Sequence, residues 1–276
     1  ISRHIIQSGG KRIRPLLVLL SAKVFGHKGD LSVRLAAIVE LIHTATLLHD
    51  DVVDASELRR GKSTANAVWG NEPSVLVGDY LYSHAFRLMV DMDSMSIMDT
   101  LARSTNKIVQ GEIKQLLNAH NPKTTEADYL EVIRCKTGEL FKTSAELGAM
   151  VAGCSEEGRK TMAEFGMQLG TAFQITDDAL DYHADIHKVG KNIGDDLAEG
   201  KPTLPLIYAL QKCNADEAKI IEQSLMSGNR THLSEILQII ESTQAMKYTR
   251  NVAQSMITKG LDCLRTLPAS IYRDAL

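Results

Sequence analysis

The sequence predicts an all-α protein, a single domain over residues 1–276 built as a bundle of about ten or more helices. Three observations carry that prediction. Only six of the 276 residues are proline, and 5% are aromatic. Alternating Val/Ile/Thr stretches bounded by turn residues are absent. Long segments with helical apolar spacing run through the chain instead.

The elements follow in order. Residues 11–25 carry the apolar stretch Pro15 to Ala22, which Lys23 closes. Residues 31–54 are apolar nearly all round, the pattern of a helix central to a bundle. Gly70-Asn71-Glu72-Pro73 reads as a connection into a helix over 73–90, followed by one over 95–118. His120-Asn121-Pro122 is the next connection, and Thr125 with Asp128 forms a capping box opening a helix over 126–152. A helix over 156–182 leads to a connection from Gly190 to Pro202. Shorter helices are expected at 203–213, 216–226 and 231–242, then a longer one at 245–265.

Composition narrows the function classes. With 31 basic and 34 acidic residues the net charge is −3, and no basic block marks a nucleic-acid partner. Cys135, Cys154, Cys213 and Cys263 lie far apart without a CxxC pair, so reduced cysteines in a cytoplasmic protein are expected. No unbroken apolar run approaches the ~18–20 residues that cross a bilayer, so no transmembrane segment is expected. The chain starts at Ile1 without methionine and stops at Leu276 without an end signal, so both termini are expected to be trimmed.

The helix over 31–54 ends in His49, Asp50, Asp51 and Asp54. Carboxylates on a core helix are costly unless paired or bound to metal. Asp50 and Asp54 share a face about 6 Å apart along the axis, and His43 lies on the same stripe. A second cluster repeats the pattern: Asp177, Asp178 and Asp181 follow another apolar helix, with Gln174 one turn earlier. Two DDxxD clusters suit Mg²⁺, which uses one or two carboxylates and fills its remaining positions with water and phosphate oxygens. The spacing lacks the DxDxDG loop of a calcium site. Cations stand beside both clusters: Lys11 and Arg14 at i, i+3 where a helix begins, then Arg59, Arg60 and Lys62, then Lys191 and Lys201. Arginine binds phosphate bidentately and lysine binds it as a point charge. His183 and His187 read as surface histidines, since no HExxH context surrounds them.

The segments GGKRIRP (9–15), ELIHTATLLHDDVVD (40–54), LRRGKSTAN (58–66), VLVGDYL (75–81), CKTGELF (135–141), FQITDDALDY (173–182) and GKNIGDDLAEGKPTLPL (190–206) resemble the trans-polyprenyl diphosphate synthases over nearly the whole chain. Within that family the likeness is greatest to the bacterial octaprenyl diphosphate synthases. The resemblance implies the isoprenoid synthase fold, with helices around a central substrate cavity. It implies repeated head-to-tail addition of isopentenyl diphosphate to an allylic diphosphate, with farnesyl diphosphate as the expected primer. The product would be a long all-trans polyprenyl diphosphate, of octaprenyl length, for a respiratory quinone side chain; it would partition to membrane. A homodimer is implied, with Ile108 to Leu117 and the helix of Asp79 as contact surface.

Roles follow position by position from the same resemblance. Asp50 and Asp54, supported by Asp51, would bind Mg²⁺ at one site, and Asp177 with Asp178 and Asp181 at another, about two to three ions with the bound diphosphate. Arg59 would hold the allylic diphosphate, and Lys191 and Lys201 would close over it. Lys11, Arg14, His43 and Arg60 would hold isopentenyl diphosphate. Lys136, Thr137 and Gln174 would line the reacting end of the allylic chain. Ala45 and Thr46 stand where short-chain relatives carry aromatics, so an open tunnel is expected, with Met89 and Leu101 as its floor. The rival classes are a shorter-chain synthase (farnesyl or geranylgeranyl), a class I terpene cyclase, and a non-catalytic subunit of a heteromeric synthase. The cations for a second diphosphate disfavour the cyclase, and two intact Asp clusters disfavour the subunit.

Overall fold

The structure, a computed structural model, describes residues 9–59, 61–182 and 193–276. Its helices run α1 Ile13–Val24, α2 Leu31–Val53, α3 Ala65–Trp69, α4 Asn71–Val90, α5 Met95–Asn118, α6 Glu126–Ile133, α7 Glu139–Val151, α8 Glu156–Leu180, α9 Asp195–Ala198, α10 Leu204–Lys212, α11 Ala215–Ser227, α12 Leu233–Ser242, α13 Ala245–Arg265 and α14 Ile271–Asp274. A single π turn, Arg134–Gly138, separates α6 from α7. The all-helical expectation holds. Among the described residues the only strands are two short ones, β1 Leu58–Arg59 and β2 Lys62–Ser63, paired antiparallel with Leu58 opposite Ser63.

The chain divides into two compact units. One comprises Ile1–Thr105, Leu140–Met167 and Gly260–Leu276, the other Asn106–Glu139 and Gln168–Lys259. In the first unit α2 is the central element. Leu35, Ile38, Val39, Ile42, Ala45 and Leu48 are all 0% exposed. Each buried Leu or Ile side chain contributes about 1.5–3 kcal/mol by leaving water, and α1 and α4 pack along the helix to bury them. Close approach of α7 to α1 depends on Gly148: a Cβ there would stand 2.4 Å from the carbonyl oxygen of Val18.

The reading that no apolar stretch approaches bilayer length is corrected by α2. Its 23 residues contain a window of mean hydropathy 1.6, long and apolar enough to cross a membrane by composition alone. Arg34, Glu40 and His43 interrupt every unbroken run, yet the leucines, isoleucines and valines between them keep the mean over a long window high. Half of that window is buried inside the protein, as in a core helix.

In the second unit α10 stands between two apolar clusters. Leu206 and Ala209 pack with Ile221, Leu225, Ile236 and Ile239. Leu204 and Ile207 pack with Tyr129, Ile133, Ala172 and Ile175. The expected capping box of α6 is present: the Thr125 hydroxyl accepts from the Asp128 N–H at 3.2 Å, and Asp128 accepts from the Thr125 N–H at 3.0 Å. Asn214 and Glu217 cap α11 in the same way. The predicted continuous helix over 126–152 is broken by the π turn, whose flanking residues Ile133 and Glu139 keep right-handed helical dihedrals, so the chain stays helical on both sides while its phase shifts.

Candidate active site

The first acidic cluster lies where α2 stops. Asp54 caps the helix, and its N–H donates to the Asp50 carbonyl at 2.8 Å, so these two aspartates sit one turn apart as predicted. Ala55 then takes φ 49°, a left-handed turn usually given to glycine. Its N–H donates to the Val52 carbonyl at 3.3 Å, and the Ser56 N–H donates to the Asp51 carbonyl at 2.9 Å. These paired back-bonds satisfy carbonyls that the helix end leaves over. Asp50 and Asp54 are half-buried, whereas Asp51 is 1% exposed.

Asp51 Oδ1 accepts from Arg59 Nε at 2.9 Å and from Nη2 at 2.7 Å. Burial pushes the Asp51 carboxyl above its ordinary value, and the Arg59 guanidinium pulls it part of the way back. Asn66 braces the turn from outside, its amide donating to the carbonyls of Asp51 and Ser56 at 3.1 and 3.0 Å. Arg59 is thus engaged with Asp51 as well as standing where the resemblance expects a phosphate ligand. Asn66 was not anticipated from its position.

The cations near the start of the chain are arranged differently from the expectation. Gly9, Gly10 and Arg12 have φ of 86°, 140° and 50°, which keeps the chain out of helix until Ile13. Lys11 therefore lies before the helix and is exposed, and the expected i, i+3 placement of Lys11 with Arg14 on one helix is corrected. Arg12 pairs with Glu40. Arg14 Nη1 stands 3.1 Å from His43 Nε2, so this imidazole nitrogen accepts and the ring proton belongs on Nδ1. The Arg14 guanidinium also lies over the Phe141 ring, 4.5 Å from its centroid, a cation–π contact the sequence did not signal. Of the expected tunnel residues, Ala45 is buried with Leu48, Ala65 and Leu81. The Thr46 hydroxyl donates to the His43 carbonyl at 2.9 Å. Met89 and Leu101 are fully buried.

The second cluster, in the other unit, gives each aspartate a different environment. Asp177 is exposed. Asp178 is 7% exposed and accepts from the Tyr129 hydroxyl at 2.6 Å and from the Gln174 amide nitrogen at 2.7 Å. Gln174 Oε1 in turn accepts from the Thr137 hydroxyl at 2.7 Å. Burial and the adjacent Asp178 carboxylate hold the Tyr129 phenol well above its usual value, so it stays a donor. Asp181 accepts from the backbone N–H groups of Asp195 and Asp196 at 3.2 and 3.1 Å, filling the donors that open α9.

Lys136 and Thr137 both sit in the π turn. Lys136 Nζ pairs with Glu112 Oε2 at 2.7 Å. That pairing requires α5 to approach the turn closely, and Gly111 permits it: a Cβ there would stand 2.6 Å from the Lys136 nitrogen. Lys201 Nζ lies 2.5 Å from Glu199 Oε2. Glu112 and Tyr129 are further members that spacing could not reveal, because each partner lies in a different helix. Arg60, Lys191, His183 and His187 lie outside the described residues.

Among the described residues no group of three or more His, Cys, Asp or Glu side chains forms a ready-made metal cage. Each acidic cluster offers hard oxygen donors of its own, Asp50 and Asp54 at the end of α2 and Asp177 on α8. Carboxylates of either kind fit Mg²⁺ brought in with a phosphate-bearing ligand, since that ion needs few protein carboxylates.

Comparison with known proteins agrees with this chemistry. The family model described as polyprenyl synthetase matches residues 1–243. The chain is 46% identical over 274 residues to the octaprenyl diphosphate synthase of Haemophilus influenzae, covering 99% of this chain and 83% of that protein. A decaprenyl diphosphate synthase from Rhodobacter capsulatus superposes with a TM-score of 0.95 at 41% identity, covering 100% of this chain and 85% of that one. A polyprenyl synthase from Caulobacter crescentus, solved in complex with calcium and isoprenyl diphosphate, gives a TM-score of 0.94 at 42% identity, covering 99% and 84%.

Proposed function

The chain belongs to the polyprenyl synthetase family, and on that premise we propose that it adds isopentenyl diphosphate units head-to-tail to an allylic diphosphate. The product is a long all-trans polyprenyl diphosphate of octaprenyl length. The observation that carries this assignment is 46% identity to an octaprenyl diphosphate synthase over 99% of the chain.

In the proposed mechanism Asp50 and Asp54 of the first cluster and Asp177 of the second would hold Mg²⁺ for the allylic diphosphate, and Arg59 and Lys201 would add positive charge. The chemistry Mg²⁺ supplies there is neutralisation of charge developing on the leaving diphosphate. Lys11, Arg14 and His43 hold isopentenyl diphosphate. Arg14 is suited to this because stacking on Phe141 and contact with His43 limit its rotation before any ligand arrives. Arg60 and Lys191 are assigned by position alone to the isopentenyl and allylic diphosphates respectively. As the allylic C–O bond breaks, the oxygen atoms of Thr137 and Gln174 stabilise the cation as dipoles. The double bond of isopentenyl diphosphate then attacks, and released diphosphate takes the proton from the new chain.

Chain length is assigned to the small side chains Ala45 and Thr46, with Met89 and Leu101 as the floor. A quinone side chain is the proposed use of the product. Exposed Val109, Ile113, Leu116 and Leu117 along α5 support a homodimer contact. Four unpaired cysteines support a reducing, cytoplasmic location.

Incubation with Mg²⁺, farnesyl diphosphate and labelled isopentenyl diphosphate, followed by dephosphorylation and chromatography, tests the assignment. Linear alcohols near the octaprenyl standard are expected. Shorter linear products would reassign the length, a cyclic hydrocarbon would indicate a cyclase, and no labelled product would indicate a non-catalytic subunit.

A further inference from the structure

The four side chains Tyr129, Asp178, Gln174 and Thr137 are joined by three hydrogen bonds of 2.6, 2.7 and 2.7 Å. Their directions are fixed by chemistry. Tyr129 donates its only proton to Asp178 Oδ2. Asp178 Oδ1 accepts from the Gln174 amide nitrogen, so the carbonyl end of that amide must face the other way. Gln174 Oε1 can only accept, so the Thr137 hydroxyl donates to it. A hydroxyl has one proton, and Thr137 therefore has only lone pairs left to offer.

The π turn makes this arrangement possible. Tyr129 and Thr137 are eight residues apart, which on an uninterrupted α-helix leaves them about 80° out of phase. A π turn inserts about one residue into the ladder and removes about 100° of phase. Tyr129 and Thr137 thereby return to one stripe. There they meet Asp178 and Gln174, which are one turn apart on α8.

We propose that Tyr129 is a positioning residue for prenyl transfer: by fixing Asp178 and through it the amide of Gln174, it makes Thr137 present oxygen lone pairs, and no proton, to the allylic cation. The inference rests on the prenyltransferase assignment above and deepens it. Tyr129 touches no substrate in this scheme. Without its hydroxyl, Asp178 has one fewer donor and is less strictly placed, the amide gains a second orientation, and Thr137 can turn its proton toward the developing positive charge.

Tyr129→Phe keeps the ring and removes the donor. Single-turnover condensation should slow about tenfold to hundredfold, while KM for both substrates and the Mg²⁺ half-saturation stay at wild-type values. An allylic diphosphate fluorinated on its double bond, which disfavours the cation, should be penalised more by the variant than by the wild type. In a Thr137→Val background the Tyr129→Phe change should cost nothing further. Asp178→Asn serves as the second variant should Tyr129→Phe fold poorly. It should show the same fluorine sensitivity with unchanged Mg²⁺ half-saturation; a shifted half-saturation would make Asp178 a metal ligand and overturn the relay. Full single-turnover rate in Tyr129→Phe, or additive costs with Thr137→Val, would also overturn it. A wild-type chain that makes no longer prenyl product would instead defeat the functional assignment itself.

Discussion

Arg59 places two N–H groups on a single oxygen of Asp51, Nε at 2.9 Å and Nη2 at 2.7 Å. Asp51 is the buried member of the first acidic cluster, and its carboxyl is raised from 3.8, with burial the largest cause. For a carboxyl raised on folding, the associated stability is complete below 3.8 and is lost as pH rises through the folded value. Arg59 offsets part of that loss, because its attraction exists only while Asp51 is ionised. Arg59→Ala should therefore cost about 1–3 kcal/mol at neutral pH, below the figure for a fully buried pair because Arg59 is 30% exposed. Urea melts at pH 7 and pH 4 check this: the deficit should shrink at the lower pH, and an equal deficit at both would contradict the pairing.

The aspartates of the second cluster should separate into two kinds of variant. Asp177 is exposed, so Asp177→Ala should fold normally and lose about two to three orders of magnitude in turnover. Asp50→Ala should behave likewise. Asp181 accepts from two backbone N–H groups, so Asp181→Ala should also lose about 1–3 kcal/mol of stability through the donors it strands. Parallel melting and turnover measurements distinguish the cases; near-normal turnover in Asp50→Ala or Asp177→Ala would refute the metal assignment.

Ala45 is 0% exposed and packs with Leu48, Ala65 and Leu81. Ala45→Tyr must displace that cluster, at an expected cost of about 1–3 kcal/mol. If Ala45 also borders the path of the growing chain, the ring should shorten the product. Chromatography of dephosphorylated products alongside a thermal melt reads both effects. Lost stability with an unchanged product distribution would leave Ala45 as a packing residue only.

The legible and the hidden parts of this protein divide along a physical line. Helical spacing exposed α2 and α8, and the one-turn repeat of Asp50 with Asp54 was visible because both lie on one element. The Thr125–Asp128 cap was visible for the same reason. The contacts of Arg14 with Phe141, Lys136 with Glu112 and Asp178 with Tyr129 join different helices, and no local periodicity encodes them. The two-residue strands at Leu58 and Lys62 are too short to show alternation. The π turn is hidden because the apolar pattern that follows it, with Leu140, Phe141 and Ala145 all buried, is too broad for a shift of phase to show.

Gly111 is the most economical probe of that turn. A methyl group there would meet the backbone nitrogen of Lys136 at 2.6 Å and the Cβ of Cys135 at 2.8 Å, neither of which is a flexible chain end. Gly111→Ala must then push α5 and the π turn apart. The change should cost about 1–3 kcal/mol by overpacking, partly offset by the better helix propensity of alanine, worth about 1 kcal/mol. The larger effect should fall on activity. Glu112 follows Gly111 directly and holds Lys136 at 2.7 Å, so displacement loosens that pair and disturbs Thr137 one residue on. Condensation rate should therefore fall more steeply than melting temperature. An enzyme with Gly111→Ala that melts lower yet condenses at the wild-type rate would show that the reaction does not depend on the close seating of this turn.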